Sequence, residues 1–325
     1  MKKHKILVIG DKPAYDQYKL GRVPSHWLYG AIEMEKDGHD VVCVKESSSL
    51  FNDLKYLIKT KPDIVFIPNL NLHNHILLLL LVSLNILKIP VYAYLHHEPA
   101  AKQGIKAKIY RKLLTGLKYV FFLSELSMQN TINADLIDAD LCSVPGWGPD
   151  MDFYGKVETS DSGTYVSTGK ENRDFDLLIE VFRRNGLPLH ILTSKSHNGE
   201  DHTVLVNKCR YIPNIKLTLR ENSPESFGEM LKAMASARAL VCPLKQDKLN
   251  YCVGLSTITD AEGLGKPLIL TENPYHADRE GEFLKATTIE EWEEAVKKVE
   301  AGVTVGPSRY SMASAYQRMK QYMNL

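Results

Sequence analysis

Short runs of β-branched and aromatic residues alternate with longer segments of helical spacing along this chain, and the pattern stops once and starts again. The first set of strand-like runs is Ile6–Ile9, Val41–Val44, Ile64–Ile67, Val91–Leu95, Tyr119–Leu123 and Leu141–Val144. Between them lie helix-like segments at His26–Lys36, Phe51–Thr60, His75–Lys88, Ile105–Leu114 and Glu125–Asn133. Strands separated by helices of this length imply βαβ units and a parallel sheet. Pro62 and Pro90 each stand just before a strand, where proline ends the preceding helix. The rhythm breaks at Pro145-Gly-Trp-Gly-Pro149 and the polar stretch Lys156–Gly163, which read as a crossover. It resumes with strands Thr164–Ser167, Leu189–Leu192, Ala239–Cys242 and Pro267–Leu270. The accompanying helices are Phe175–Arg184, Ser226–Ala235, Thr257–Leu264, Ile289–Glu300 and Met312–Tyr322. The expectation is α/β architecture in two domains, residues 1–148 and 149–308, followed by a terminal helix within 309–325.

A chain of 325 residues is long enough for two separate cores. Its net charge of +1 provides no bulk field for nucleic acid, so an anion site must be built locally. Five scattered cysteines without CxxC spacing argue against a disulfide framework or a zinc site and for a reducing compartment. The apolar run Ile6-Leu-Val-Ile-Gly10 is too short for a leader and reads as the first strand. Ile76–Leu87 falls short of the roughly 20 residues a membrane span needs, and it reads as a core helix packed on a sheet, with a membrane-touching helix as the alternative.

Two segments of the second half carry chemistry. In Gly254-Leu-Ser-Thr-Ile-Thr-Asp260, Gly254, Ser256 and Thr257 lie where a loop becomes a helix. Free amides and the positive dipole end favour a phosphate there. An ordinary N-capped helix without ligand fits the local pattern equally well. Asp260, within that helix, could accept two ribose hydroxyls. In Tyr165-Val-Ser-Thr-Gly169-Lys170-Glu-Asn-Arg173, a strand ends in a glycine turn bearing two cations. Strand ends face the ligand crevice of open α/β sheets, and a lysine with an arginine fork suits diphosphate oxygens. A solvated loop with Arg173 paired to a nearby carboxylate is the alternative for the segment taken alone.

Together these segments resemble the GT-B glycosyltransferases, the large group that includes glycogen synthase, sucrose synthase and bacterial cell-surface sugar transferases. Gly169, Lys170 and Arg173 match the family's diphosphate-gripping loop, and Gly254–Pro267 matches its G-x-S-T-x-x-E-A-x-x-x-G-K-P stretch, with Asp260 in the glutamate position. Val144–Tyr154 looks like the family's interdomain crossover. The resemblance implies two Rossmann-like domains facing across a cleft, an N-terminal acceptor domain, a C-terminal donor domain, and a last helix crossing back to the first. It also implies donor diphosphate contacts at Gly169, Lys170, Arg173, Gly254, Ser256 and Thr257, and ribose contact at Asp260. Thr193, by position, is the nucleobase candidate. Where many retaining members carry an acidic residue eight positions before the ribose carboxylate, this chain has Cys252, and Asp247 is the upstream substitute for the donor sugar.

In the first half, Val91-Tyr-Ala-Tyr-Leu-His96-His97-Glu98 matches the family's histidine after the fourth strand. His96, ahead of His97, and Glu98 are the catalytic candidates: a neutral imidazole can hydrogen-bond a sugar, and a carboxylate can act as base. The long connection Gly10–Ser25 carries Asp11, Tyr15, Tyr18 and Arg22, and His26 and Trp27 stand directly after it. The resemblance places this loop at the acceptor, with Arg22, His26 and Trp27 as contacts, and Asn69, Asn71 and His73 beside them.

The expected activity is metal-independent transfer of a sugar, with retention of configuration, from a nucleoside-diphosphate sugar to a glycan or lipid-linked acceptor in cell-surface polysaccharide or glycoconjugate synthesis. The nucleotide sugar is a substrate, so no cofactor is expected, nor a metal, since no DxD-like cluster follows a strand. The expected location is cytoplasmic, with peripheral association at the inner membrane surface left open. A GT-B epimerase and a catalytically degenerate nucleotide-binding or assembly subunit are the alternatives. A nicotinamide-dependent enzyme is disfavoured, because Gly10 is followed by Asp-Lys-Pro rather than a GxGxxG turn.

Overall fold

The computed structural model describes residues 2–46, 49–100, 103–194, 203–221, 226–279, 283–303, 306 and 308–325. The chain divides into two compact units: Met1–Asp150 with Tyr310–Leu325, and Met151–Arg309.

Unit 1 holds a six-stranded parallel sheet of β1 (Lys5–Gly10), β2 (Asp40–Lys45), β3 (Ile64–Ile67), β4 (Val91–Leu95), β5 (Tyr119–Phe122) and β6 (Cys142–Ser143). Their order is β2-β1-β3-β4-β5-β6. β3, β4 and β5 are buried along their whole length, which is why they read as continuous apolar runs rather than alternating ones. The chain reverses direction across the sheet between β1 and β3, and Gly10 lies there, where a Cβ would come within 3.1 Å of Pro68 Cγ. The last helix, Met312–Met323, belongs to this unit. It starts with a reciprocal Ser311/Ser314 cap and donates from Arg318 Nε to the Pro145 carbonyl at 2.6 Å.

Unit 2 holds β7 (Tyr165–Thr168), β8 (Leu189–Ser194), β9 (Ile215–Arg220), β10 (Ala239–Cys242), β11 (Leu268–Leu270) and β12 (Leu284–Lys285) in a second parallel sheet, ordered β12-β11-β10-β7-β8-β9. Counted within the unit, this is the doubly wound order, and its switch point lies between β7 and β10. Trp292, on the helix Ile289–Glu300, is the largest fully buried side chain and packs in this unit's core.

Three differences from the sequence reading have physical causes. The connection Gly10–Ser25 contains a helix, Lys12–Lys19, capped by the Asp11 side chain; only Ala14 of it is buried, so it carries no apolar period. The segment His26–Lys36 splits into a 3-10 turn, Ser25–Leu28, and the helix Ala31–Lys36, because Tyr29 and Gly30 both have positive φ. In unit 2 the helix Thr203–Cys209 and the edge strand β9 went unread, since β9 fully buries only Ile215 and its face is weakly patterned.

Candidate functional site

At the switch point of unit 2, the loops leaving β7 and β10 are zipped together. Asp174 N donates to Pro243 O at 3.1 Å, Lys245 N to Asn172 O at 2.9 Å, and Asn172 Nδ2 to Lys248 O at 3.2 Å. Arg173 is 5% exposed, and its guanidinium turns inward. Nε donates to the Thr168 carbonyl at 3.2 Å, one terminal nitrogen to the Glu171 carbonyl at 2.9 Å, and the other to Thr257 Oγ1 at 3.4 Å. Three of its five N–H groups thus meet protein oxygens, two on the turn and one on Thr257, so Arg173 braces the turn. Gly169, at φ +94, lies directly against that guanidinium, where a Cβ would overlap it. Lys170 is half-buried, and burial pushes its ammonium below the ordinary range against the opposing pull of Glu171.

The helix Leu255–Leu264 begins beside this turn. Gly254 caps it at φ +94, packed so that a Cβ would meet Cys242 Sγ at 3.3 Å, Leu270 Cδ1 at 3.3 Å and His276 Cε1 at 3.4 Å. Among the described residues, the Gly254 and Ser256 amides have no partner, whereas Leu255 N and Thr257 N donate to Cys252 O and Gly254 O. The Ser256 side chain is exposed, and Thr257 is buried against Arg173. His276 is 2% exposed, with its ring beside the Cys252 backbone. Burial lowers its pKa to about 4, against the opposing pull of the Cys252 backbone, so the ring is neutral. A glycine-capped helix start with open amides and a half-buried lysine on the adjoining turn together suit an anion.

The loop after β11 supports this arrangement from below. Asn273 Nδ2 donates to the Tyr251 and Val253 carbonyls at 3.1 and 3.2 Å, and Thr271 Oγ1 accepts from Leu244 N at 2.9 Å. Arg279 and Glu262 form a buried ion pair at 2.9 Å. None of these was read from the sequence; a cluster of Asn, Pro and His directly after a strand was the available signal. Cys252 is 7% exposed and burial pushes its thiol up to about 12, so it stays neutral and supplies no anionic acceptor. Asp247 is exposed, on the 3-10 turn Gln246–Lys248 of the zipped loop. Thr193 is buried with its hydroxyl on Ser194 O, and residues 195–200, where the base-contacting loop was expected, lie outside the described residues.

Asp260, the ribose candidate, has a protein partner. Its carboxylate is buried and accepts from Tyr154 Oη at 2.5 Å, while the Tyr154 ring covers Gly263 so closely that no Cβ would fit. The bond occupies Oδ1, one of the two carboxylate oxygens. Burial raises the Asp260 pKa to about 7, the Tyr154 bond opposing. A carboxyl with a folded pKa above its unfolded value near 4 loses stability as pH rises through that interval. Asp260→Asn is expected to be close to neutral at pH 4 and to raise stability by about 1–3 kcal/mol at pH 8. Thermal melts across that pH range check it, and a variant destabilised equally at both ends would contradict the assignment.

In unit 1, His96 follows β4 and its Nε2 donates to the Pro68 carbonyl at 2.9 Å, while its ring lies 4.6 Å from the Tyr29 ring. Burial lowers its pKa to about 4, leaving a neutral ring whose Nδ1 can accept. His97 is exposed, and Glu98 accepts from Asn130 Nδ2 at 2.7 Å. His96 and Glu98 thus have separate partners. His26 is not placed to touch an acceptor: its ring is 1% exposed, burial lowers its pKa to about 3, and Nδ1 accepts from Asp150 N at 3.3 Å. Trp27 is half-buried, and exposed Arg22 donates to Gln17 Oε1 at 3.3 Å. Asn69 is exposed, and Asn71 closes a local turn on His73 N. Among the described residues, no group of three His, Cys, Asp or Glu side chains is arranged to hold a metal.

No family model matches the sequence, and no curated protein is similar to it by sequence. Solved structures are similar over the whole chain. The apo lipopolysaccharide outer core galactosyltransferase WaaB superposes with a TM-score of 0.58 at 11% identity, over 98% of this chain and 99% of its own. A putative UDP-N-acetylglucosamine 2-epimerase from Listeria monocytogenes gives 0.60 at 12% identity, over 100% and 98%. The S. aureus MnaA–UDP structure gives 0.59 at 12%, over 100% and 98%. The fold is GT-B. Both Rossmann-like domains of that GT-B fold are present as six-stranded parallel sheets, and the anion-suited turn of the second lies at its switch point.

Proposed function

We propose that this GT-B chain is a glycosyltransferase that binds a nucleoside-diphosphate sugar on unit 2 and passes the sugar to a glycan or lipid-linked acceptor. The observation that carries this reading is the cradle at the β7/β10 switch point: Gly254 and Ser256 amides without partners among the described residues, buried neutral His276, and Lys170 on a turn braced by Arg173. In this reading the open amides and Lys170 hold the diphosphate and stabilise the charge that develops on it as the sugar departs. Because the donors are already oriented by Arg173 and Asn273, little reorganisation accompanies the step. His96, neutral with a free acceptor nitrogen, would orient a sugar hydroxyl, and Glu98 would serve as base. The reaction is read as metal-independent and retaining, with the chain acting in the cytoplasm on cell-surface glycan synthesis.

A released-nucleotide assay with UDP-, GDP- and ADP-sugars is the test. Turnover is expected with one base class, and Lys170→Ala is expected to lower kcat/KM by about 10²–10³. Turnover unaffected by Lys170→Ala would remove the proposed diphosphate site. A second reading, GT-B epimerase, is favoured by the putative UDP-N-acetylglucosamine 2-epimerase among the similar structures and by Cys252 in place of a carboxylate. It predicts an isomerised nucleotide sugar in the absence of any acceptor. Tight nucleotide binding without turnover would instead mark a degenerate binding subunit.

A further inference from the structure

The helix Ile76–Ser83, Ile-Leu-Leu-Leu-Leu-Leu-Val-Ser, is apolar all round, which in a soluble domain implies burial on every side. The helix packs on the core as expected, with Ile76 and Val82 beside Leu78 and Leu79, but it is not covered on every side. Only Leu78 and Leu79 are fully buried, Leu80 is 40% exposed, and the apolar run continues outward through Leu84 at 51% and Ile86 at 63%. The next crossover helix, Gly104–Leu114, packs beside it, with Gly116 so close that a Cβ would lie 2.9 Å from the Ser83 amide nitrogen. The two helices follow β3 and β4 and feed Leu78, Leu79, Ala107, Leu113 and Leu114 into one core. Consecutive right-handed crossovers running the same way across a sheet lie on one face of it, so their outer sides point outward together. On the second helix that outer side carries Ile105, 79% exposed, and Ile109, 47% exposed, one turn apart.

The charge around these residues is one-sided. Between residues 76 and 118 there are seven Lys and Arg and a single carboxylate, Glu98, in a chain whose net charge is only +1. Lys88, Lys106, Lys108, Lys112 and Lys118 are exposed, and of the described cations only Arg111 is drawn to acidic partners, Asp135 and Asp138. On the Gly104–Leu114 helix, Lys108 and Lys112 share the i, i+3, i+4 and i+7 stripe with Ile105 and Ile109.

We infer that this face of unit 1 docks on an anionic lipid surface, the isoleucines and leucines entering the headgroup boundary and the lysines meeting acidic headgroups. Exposed apolar side chains rimmed by lysine are the combination that binds such a surface, and neither part suffices alone. A helix of 8 residues is about 12 Å long and lies on a bilayer rather than crossing it. The inference is independent of the donor site, which sits in the other unit.

The test is flotation of the full chain with vesicles of phosphatidylcholine alone or mixed with phosphatidylglycerol, at low and high salt. Binding is expected only with phosphatidylglycerol, weakened by salt. Both Ile105→Ser/Ile109→Ser and Lys106→Glu/Lys108→Glu/Lys112→Glu are expected to weaken it by about tenfold or more, with circular dichroism unchanged. Binding equal to that on neutral vesicles, or equal for wild type and both variants, would overturn the inference. So would a dimer in sedimentation that Ile105→Ser/Ile109→Ser dissolves while no vesicles float, which would assign the face to a second copy.

Discussion

Gly169→Ala is expected to weaken nucleotide binding by about tenfold to a hundredfold while the chain stays folded. The new methyl group would occupy the place of the Arg173 guanidinium, and a backbone at φ +94 strains any side chain there. Arg173 must then leave the Thr168 and Glu171 carbonyls and Thr257 Oγ1, and the turn that carries Lys170 loses its brace. The same account separates bracing from direct contact. Arg173→Lys keeps the charge but loses the planar fork, so it is expected to bind nucleotide as poorly as Arg173→Ala. A point contact with phosphate would instead be largely preserved by lysine. Calorimetric titration of the three variants distinguishes the two, and wild-type affinity in Arg173→Lys would contradict the brace.

His75→Leu is expected to destabilise unit 1 by about 3–5 kcal/mol. The His75 ring is wholly buried, with Nδ1 2.9 Å from Asp53 Oδ2 and Nε2 in a looser 3.4 Å pair with Glu46 Oε1. It ties the end of β2 and the helix Asn52–Thr60 to the start of the helix Ile76–Ser83. Burial alone would lower its pKa, but Asp53 and Glu46 outweigh this and hold it at about 9. Leucine would leave Asp53, itself 1% exposed and with Oδ1 already unpartnered, as an isolated buried charge. Adding Asp53→Asn is therefore expected to recover most of the loss. A folded pKa raised above the ordinary value near 6.5 means stability fully present below that pH and lost as pH rises through about 9. Thermal melts from pH 6 to pH 10 should show the wild type losing about 3 kcal/mol that the double variant does not lose. A wild-type melt flat across this range would contradict the charged pairing.

Legibility in the sequence tracks the range of the interactions. Buried central strands such as β3 to β5 announce themselves as apolar runs, and Gly254, Gly169 and the prolines before strands mark turns by local backbone demand. That Gly169 and Lys170 follow a strand and that Gly254 precedes a helix was legible, and β7 and the Leu255–Leu264 helix stand there. The direction of side chains was not. Whether Arg173 faces a ligand or its own loop depends on Thr257, 84 residues away, and the Asp260 carboxylate on Tyr154, 106 residues away. His26 reads as a polar loop residue because its burial is imposed by Trp147 and Asp150 at the far end of the unit. The outward face of Ile76–Ser83 is the reverse case. Its composition predicts burial on every side, and only the structure shows Leu80 left 40% exposed.

The central claim is that the β7/β10 turn and the start of the Leu255–Leu264 helix form a nucleoside-diphosphate site. Its most direct test is calorimetry of the full chain against UDP, GDP and ADP, with the corresponding monophosphates alongside. The account predicts that one diphosphate binds, that its monophosphate binds at least about tenfold more weakly, and that Gly169→Ala abolishes the difference. No binding by any of the three diphosphates, or binding that Gly169→Ala leaves unchanged, would contradict it.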